Sequence, residues 1–330
     1  MEDISDSPFR AICKDYGADV LITEFISAEG LIRDAAKSRL KMTFETKERP
    51  IGIQIFGGNV ESMMKAAEVA EAAGPDFIDL NFGCPVRKIV MKGGGAALLQ
   101  DIPKMIRITG SVVKSTRLPV TVKTRLGWDE EHKDIVTIAE QLQDAGIKAI
   151  GIHGRTRAQL YSGTADWSLI GEVKNNPRMT IPVWGNGDID SGAKALEMKN
   201  RFGVDGIMIG RAATGNPWIF SEVKQYLNHK EPPAELTGIN PTGVYPPSAN
   251  IHINIPSLEE RLSVVRRHID TSIPYKGERT ALYELRRFYA PYFRGLPDFK
   301  KYRTRLVTAS DFDTVTMILK EIELEYTGVK

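Results

Sequence analysis

Short apolar segments rich in β-branched residues alternate with longer amphipathic segments along most of the chain. Seven of the short segments have the nearly continuous hydrophobicity of strands that are covered on both faces. They are VLIT (20–23), IGIQIF (51–56), FIDLN (77–81), PVTVK (119–123), AIGIH (149–153), IPVWG (181–185) and GIMIG (206–210). Each precedes a helical pattern, and Gly74 and Gly146 are placed to end two of these helices. The alternation predicts parallel β/α units.

Polar residues distinguish the two architectures that such units build, an open doubly wound sheet and a closed barrel. Five of them lie at or just past the carboxyl ends of different strands: Gln54, Asn81, Lys123, His153 and Asn186. A barrel gathers all its strand ends around one mouth, whereas an open sheet has one crevice at its switch point. The spread over the whole sheet predicts an α/β fold of the (β/α)8 TIM-barrel class.

The chain changes character after Phe220. Residues 231–256 contain six prolines and no helical period, which predicts a linker or flap. Residues 257–330 show helical spacing throughout, so we predict a barrel domain over 1–230 and a small all-helical domain over 257–330. Because the chain opens on a helical pattern, we also expect the first barrel strand to lie upstream of Met1.

Composition and charge narrow the class of protein. The chain has 330 residues, of which 42% are hydrophobic and 26% charged, as in ordinary globular proteins. Two cysteines without C-x-x-C spacing indicate neither a disulfide framework nor a metal site. Neither a signal peptide nor a membrane span is indicated, so a cytoplasmic protein is expected. Residues 258–305 carry a surplus of six positive charges although the whole chain has a net charge of only +2.

The loops after the last two strands, GNGDIDSG (185–192) and GRAATGNPWIF (210–220), are rich in glycine. In barrels this position often binds phosphate, and Arg211 would complete such a site. Lys123 at a strand end needs an anionic partner, which a phosphate-bearing cofactor with an electron-accepting ring would supply, and His153 could contact the same group. The plainer alternatives are tight turns, a lysine paired with a nearby acid and a satisfied barrel histidine.

Cys84 lies in a long loop, FGCPVRKIVMKGGGAALL (82–99), that has room to overhang the barrel mouth. A thiol with an ordinary pKa is mostly protonated at neutral pH, so it can donate a proton as well as act as a nucleophile. The alternative is a small buried hydrophobic residue, which is the commoner role of a free cysteine. We expect that role for Cys13, which lies at helical spacing from Phe9.

Several of these segments together resemble the tRNA-dihydrouridine synthases, most closely the bacterial DusB-type branch. They are DLNFGCPVRKIVMKGGGAALL, VKTRLGW, IHGRTRAQLYSG, GNGDI and GIMIGRAATGNPWIF. The resemblance runs from Met1 to about Tyr226 and resumes more weakly at KGERTALYELRRFYAPYFRGLP. It implies a flavoenzyme that reduces particular uridines of tRNA to 5,6-dihydrouridine with NADPH or NADH.

The resemblance also implies roles for individual residues. Cys84 matches the general acid that protonates uracil C5 after hydride reaches C6 from FMN. The cofactor contacts implied are Gln54, Lys123, His153, Asn186, Gly187, Asp188, Gly210 and Arg211. Asn81 and Arg155 match residues beside the substrate, and the basic, aromatic tail suits tRNA binding, with Arg279, Arg286 and Arg287 near one helical face.

Two other functions fit parts of the sequence. One is an FMN barrel enzyme that acts on a free pyrimidine, as dihydroorotate dehydrogenases do, but a small substrate needs no basic helical tail. The other is an inactive RNA-binding barrel, which the intact set of Cys84, Lys123 and His153 disfavours. The partners expected are tRNA and NADPH, with the protein a monomer that is not attached to a membrane.

Overall fold

The computed structural model describes residues 1–228 and 255–328, so residues 231–254 of the predicted proline-rich segment lie outside the described part. The described strands all join one parallel sheet. They are β1 (Leu21–Ile22), β2 (Ile26–Ser27), β3 (Ile51–Phe56), β4 (Phe77–Asn81), β5 (Val120–Arg125), β6 (Ala149–His153), β7 (Val183–Asn186) and β8 (Gly206–Met208).

Seven of these strands follow one another in the order β1, β3, β4, β5, β6, β7, β8, and the short β2 pairs with β3 beyond β1. This is the parallel, sequential order of a barrel sheet, and it confirms all seven strands predicted from hydrophobicity. Within the described residues, β1 and β8 are the two ends of the pairing order. The sheet therefore forms a half-barrel of seven main strands.

Fourteen α-helices accompany the sheet in the part of the chain that the structure describes. The first seven are α1 (Ser7–Asp15), α2 (Ala28–Ile32), α3 (Ala36–Met42), α4 (Val60–Ala72), α5 (Arg87–Val90), α6 (Ile102–Ser115) and α7 (Ile135–Asp144). The others are α8 (Ser168–Asn175), α9 (Gly192–Phe202), α10 (Ile219–Asn228), α11 (Leu258–Lys276), α12 (Glu278–Tyr292), α13 (Lys300–Thr308) and α14 (Phe312–Thr327).

Local sequence signals explain where the barrel helices start and stop. Helix α4 begins after Asn59, whose side chain accepts a hydrogen bond from the Ser62 amide at 2.9 Å. The chain leaves α4 through Gly74, whose positive φ of 75° is strained for residues with a Cβ. Because short turns of this kind return the chain to the start of the next parallel strand, the carboxyl ends of the strands lie at the same edge of the sheet.

The chain divides into two compact units. The sheet unit comprises Met1–Glu2 and Asp19–Gly210, and the helical unit comprises Asp3–Ala18 and Arg211–Lys330. The early helix α1 belongs to the helical unit because Phe9 packs on Phe288, with ring centroids 5.1 Å apart. The functional division predicted at residues 1–230 and 257–330 stays a prediction, and the compact units divide the chain elsewhere.

Among the described residues, none of the helices combines the length and the apolar character that crossing a membrane requires.

Candidate active site

A buried polar layer crosses strands β3, β4 and β5 of the sheet unit. Gln54 lies opposite Asp79, and Asp79 lies opposite Thr121 in the parallel register. The Gln54 Nε2 donates to one carboxylate oxygen of Asp79 at 2.6 Å, and the Thr121 hydroxyl donates to the other. The predicted cofactor residue Gln54 is therefore held by Asp79, a side chain that has no predicted role and that Thr121 holds in turn.

The loop that carries Cys84 is fastened to the end of β4. Asn81 donates from Nδ2 to the Gln54 Oε1 at 2.8 Å. The Asn81 Oδ1 accepts from the backbone amides of Gly83 at 3.1 Å and Cys84 at 2.9 Å. A Cβ at Gly95 would lie 2.8 Å from the Cys84 carbonyl oxygen, so the loop closes on itself only with glycine there. The sequence brings Gln54, Asn81 and Cys84 together as predicted.

The Cys84 thiol is buried, with only 7% of the residue exposed. Burial raises the pKa of Cys84, while the backbone amide of Val86 and the charge of Arg125 act in the opposite direction. At neutral pH the side chain is therefore a thiol, which can donate a proton, and not a thiolate.

Lys123 lies opposite Asn81 in the register and points into the same layer. The pKa of Lys123 is lowered to about 7, chiefly by burial and also by the nearby Arg125 charge, while Asp79 acts in the opposite direction. Its Nζ donates to the Thr124 carbonyl oxygen at 3.4 Å, which is a long hydrogen bond. A Cβ at Gly151 would lie 3.0 Å from the Lys123 side chain, so this glycine leaves room for the lysine.

His153 is the last residue of β6, and Arg155 lies two residues beyond it. The ring nitrogen Nε2 of His153 lies 3.4 Å from Arg155 Nη1, and the residue is 8% exposed. Arg155 forms a two-pronged ion pair with Asp188, with distances of 2.8 and 2.7 Å. The structure thus pairs a predicted substrate residue with a predicted cofactor residue across 33 positions of sequence.

The loop after β7 approaches His153 closely. Gly187 has a φ of 126°, and a Cβ there would lie 2.6 Å from the Ala165 side chain and 3.1 Å from the His153 ring. Asn186 donates to the Met208 carbonyl oxygen at 2.8 Å and so ties the ends of β7 and β8 together. Gly187 is buried, and the absence of a side chain there lets this loop pack directly against Ala165 and His153.

The remaining predicted residues all follow strand β8 in the chain. Gly210 is the last residue of the sheet unit, and Arg211 begins a short 3₁₀ turn (Arg211–Ala213) of the helical unit. Arg279, Arg286 and Arg287 lie on α12, also in the helical unit. Arg286 and Arg287 border a cleft of about 420 Å³ with two further arginines, whereas Arg279 does not.

No role was predicted from the sequence for Asp79, Thr121 or Arg125. Arg125 is 2% exposed and donates to the carbonyl oxygens of Gly83, Thr156 and Leu160, each at 2.8 Å. It therefore joins the Cys84 loop to the loop after β6. The available signal was a charged residue inside or ending an apolar strand, as in FIDLN and TVKTR, because such a charge needs a buried partner.

These features define the class of protein. Polar and nucleophilic side chains at the carboxyl ends of parallel barrel strands form the active site of a barrel enzyme. The dihydrouridine synthase (Dus) family model matches residues 1–325. The chain therefore belongs to the dihydrouridine synthase family.

Curated relatives agree with this assignment. tRNA-dihydrouridine synthase B of Pseudomonas aeruginosa is 34% identical over 100% of this chain and 94% of its own length. The protein of the same name from Pseudomonas putida is 35% identical over 94% of this chain and 86% of its own. That of Xanthomonas campestris pv. campestris is 41% identical over 69% and 68%.

The family assignment confirms the function predicted from the sequence. The chain is a flavin-dependent oxidoreductase that reduces uridine in tRNA to dihydrouridine. A free pyrimidine as substrate and a barrel without catalysis, the two alternatives raised by the sequence, are thereby set aside.

Proposed function

We propose that the enzyme binds FMN at the carboxyl ends of the barrel strands, takes electrons from NADPH and uses Cys84 as the general acid. The observation that carries this proposal is the buried Cys84, whose backbone is fastened through Asn81 to the layer that contains Gln54 and Lys123. We further propose a cytoplasmic monomer, since the chain needs only tRNA and NADPH as partners.

The residues present fit a flavin. Lys123 is a half-buried amine whose hydrogen bond to the Thr124 carbonyl oxygen is long, and an anionic ring edge would complement its ammonium form. Gln54 belongs to the same polar layer, and the backbone at Gly187 lies close to the ring of His153. When bound, FMN would supply the hydride that is delivered to uracil C6.

The protein's own residues would complete the reaction on the base. Cys84 donates its proton to C5, and its raised pKa keeps that proton in place until it is needed. Arg125 lowers the pKa of Cys84 and so stabilises the thiolate that remains after transfer. Asn81 keeps the Cys84 backbone in one position, and Arg155, locked by Asp188, contacts the substrate.

Replacing Lys123 with alanine should weaken FMN retention and slow flavin reduction, because the ring loses its nearest cation. Since burial holds the pKa of Lys123 near 7, the ammonium form is lost as the pH rises from 7 to 9. FMN affinity of the wild type should fall over that range, and that of Lys123→Ala should not. Fluorescence titration with FMN measures both.

Lys148→Ala is the matched control for this prediction. Lys148 is exposed and immediately precedes β6, at the opposite end of the sheet from Lys123. This control should behave as the wild type does. Equal FMN affinity and equal pH dependence in the wild type and Lys123→Ala would contradict the proposed role.

We propose that the arginine cleft of the helical unit contacts tRNA phosphates. Its lining includes Arg286, Arg287, Arg294 and Arg303. Arg286 also donates to the Ala309 carbonyl oxygen at 2.8 Å, and Arg287 donates to that of Asp3 at 2.8 Å. Alanine at 286 and 287 would therefore remove internal contacts together with charge.

The double variant Arg294→Ala/Arg303→Ala tests the cleft more cleanly, since both residues are exposed. It should bind tRNA more weakly, with a log–log salt slope shallower by about one unit per lost phosphate contact. Lys320→Ala, an exposed lysine on α14, should leave the slope unchanged. Filter binding over a salt series measures the slopes, and a wild-type slope in the double variant would refute the assignment.

The proposed function as a whole is tested with purified protein, FMN and unmodified tRNA. NADPH oxidation should require all three components, and the protein should show a flavin absorption spectrum. NADPH oxidation that proceeds at the same rate without tRNA would mean that the acceptor is not uridine.

A further inference from the structure

A continuous chain of hydrogen bonds runs through the buried layer and ends at the Cys84 loop. It starts at Thr121, which donates to Asp79. Gln54 donates to the second oxygen of Asp79, and Asn81 donates to the Gln54 oxygen. The Asn81 oxygen then receives the Cys84 backbone amide.

Asp79 sets the order of donors and acceptors along this series of hydrogen bonds. An ionised carboxylate only accepts hydrogen bonds, so the NH₂ group of Gln54 must face it. The Gln54 oxygen then faces Asn81, which must answer with its own NH₂ group. Only this order leaves the Asn81 oxygen toward the Cys84 amide. If both amides were reversed, an NH₂ group would face two backbone N–H donors.

Burial makes this order consequential. Gln54, Asp79 and Asn81 are exposed by 8%, 1% and 7%. A buried polar group costs the fold little stability when all its hydrogen-bond partners are present, but it costs much more when one partner is missing. Burial raises the pKa of Asp79 to about 6, with Thr121, Gln54 and the charge of Lys123 acting against it. The carboxylate is therefore the main form at neutral pH.

We propose that Asp79 is a positioning residue, whose acceptor oxygen orients the amides of Gln54 and Asn81 and thereby fixes the backbone at Cys84 for proton transfer. Asp79 acts through Asn81 and does not itself contact the reacting base. The catalytic consequence rests on the proposed role of Cys84, whereas the structural consequence for the loop does not.

Alkylation of Cys84 by iodoacetamide measures how well the loop is fixed. A Cys13→Ala background leaves Cys84 as the only thiol, because the chain has two cysteines. In this background Asp79→Leu removes the acceptor of Gln54. Gln54→Met interrupts the series of hydrogen bonds one step later, between Asp79 and Asn81. Asp79→Asn keeps an oxygen for Gln54 and turns its NH₂ group toward the Thr121 hydroxyl, which can accept.

We expect alkylation about tenfold faster in Asp79→Leu and Gln54→Met, the factor that follows from losing about one buried hydrogen bond. Asp79→Asn should stay within about threefold of the parent. Circular dichroism and melting curves check folding, and if Asp79→Leu is unfolded, Gln54→Met decides. Parental alkylation in folded Gln54→Met overturns the proposal, as does Asp79→Asn alkylating as fast as Asp79→Leu.

This readout needs neither tRNA nor turnover, so it separates the two ideas. If the alkylation rates behave as expected but Cys84→Ala still protonates uridine at the normal rate, the proposed acid is wrong and the positioning role stands. If alkylation is unchanged while Cys84→Ala is inactive, the acid stands and the role of Asp79 is wrong.

Discussion

Cys84→Ala is expected to lose about 10²–10⁴-fold of the rate of dihydrouridine formation while NADPH still reduces its flavin, because a positioned acid contributes about that factor. Cys84 is held as a thiol by burial and lies on the loop that Asn81 fastens. Alanine keeps the loop backbone and removes only the proton donor. Mass spectrometry of the tRNA measures the product, which gains two hydrogens.

Cys13→Ala is the matched control for this experiment. Cys13 is 3% exposed in helix α1 of the helical unit, which confirms its predicted role as a small buried residue. Removing this thiol should leave dihydrouridine formation unchanged. Comparable loss in both variants would show that the effect of Cys84→Ala is not specific to proton donation.

Asp188→Ala is expected to destabilise the fold by about 3–5 kcal/mol, because it leaves the Arg155 charge buried without its partner. The Arg155 side chain is only 3% exposed. Asp188 also accepts from the Ala165 amide at 2.8 Å and has a φ of 54°, a backbone conformation that asparagine tolerates better than alanine. Urea unfolding measures the loss.

Asp188→Asn separates the charge from the backbone effects at this position. It keeps one acceptor oxygen for Ala165 and Arg155 Nη2 but removes the negative charge and the acceptor of Arg155 Nη1, so it should be destabilised less than Asp188→Ala. Unfolding free energies of both variants equal to that of the wild type would mean that Arg155 needs no counter-ion. Asp188 would then keep only the role predicted from the sequence, which is contact with the cofactor.

The strands were predictable because strands covered on both faces are apolar nearly throughout. All seven predicted strands are found, and β5 extends two residues further, to Arg125. The extension TR is polar, so hydrophobicity could not show it. Strand β2 has two residues, too few to establish any period.

The site was predictable to the extent that parallel strands place their carboxyl ends together. That rule brought Gln54, Asn81 and Lys123 to one layer. It could not show which side chains pair, since the ion pair of Arg155 with Asp188 joins distant loops. The rule also did not point to Asp79, because this residue lies two positions before the strand end, although it faces the same layer as Asn81.

The most direct test of the account mixes enzyme, reduced beforehand with NADPH, with unmodified tRNA in the absence of oxygen. The account predicts that tRNA rapidly reoxidises the wild-type flavin and that Cys84→Ala reoxidises at least about 10²-fold more slowly. Reoxidation of the two proteins at the same rate would contradict the claim that Cys84 supplies the proton.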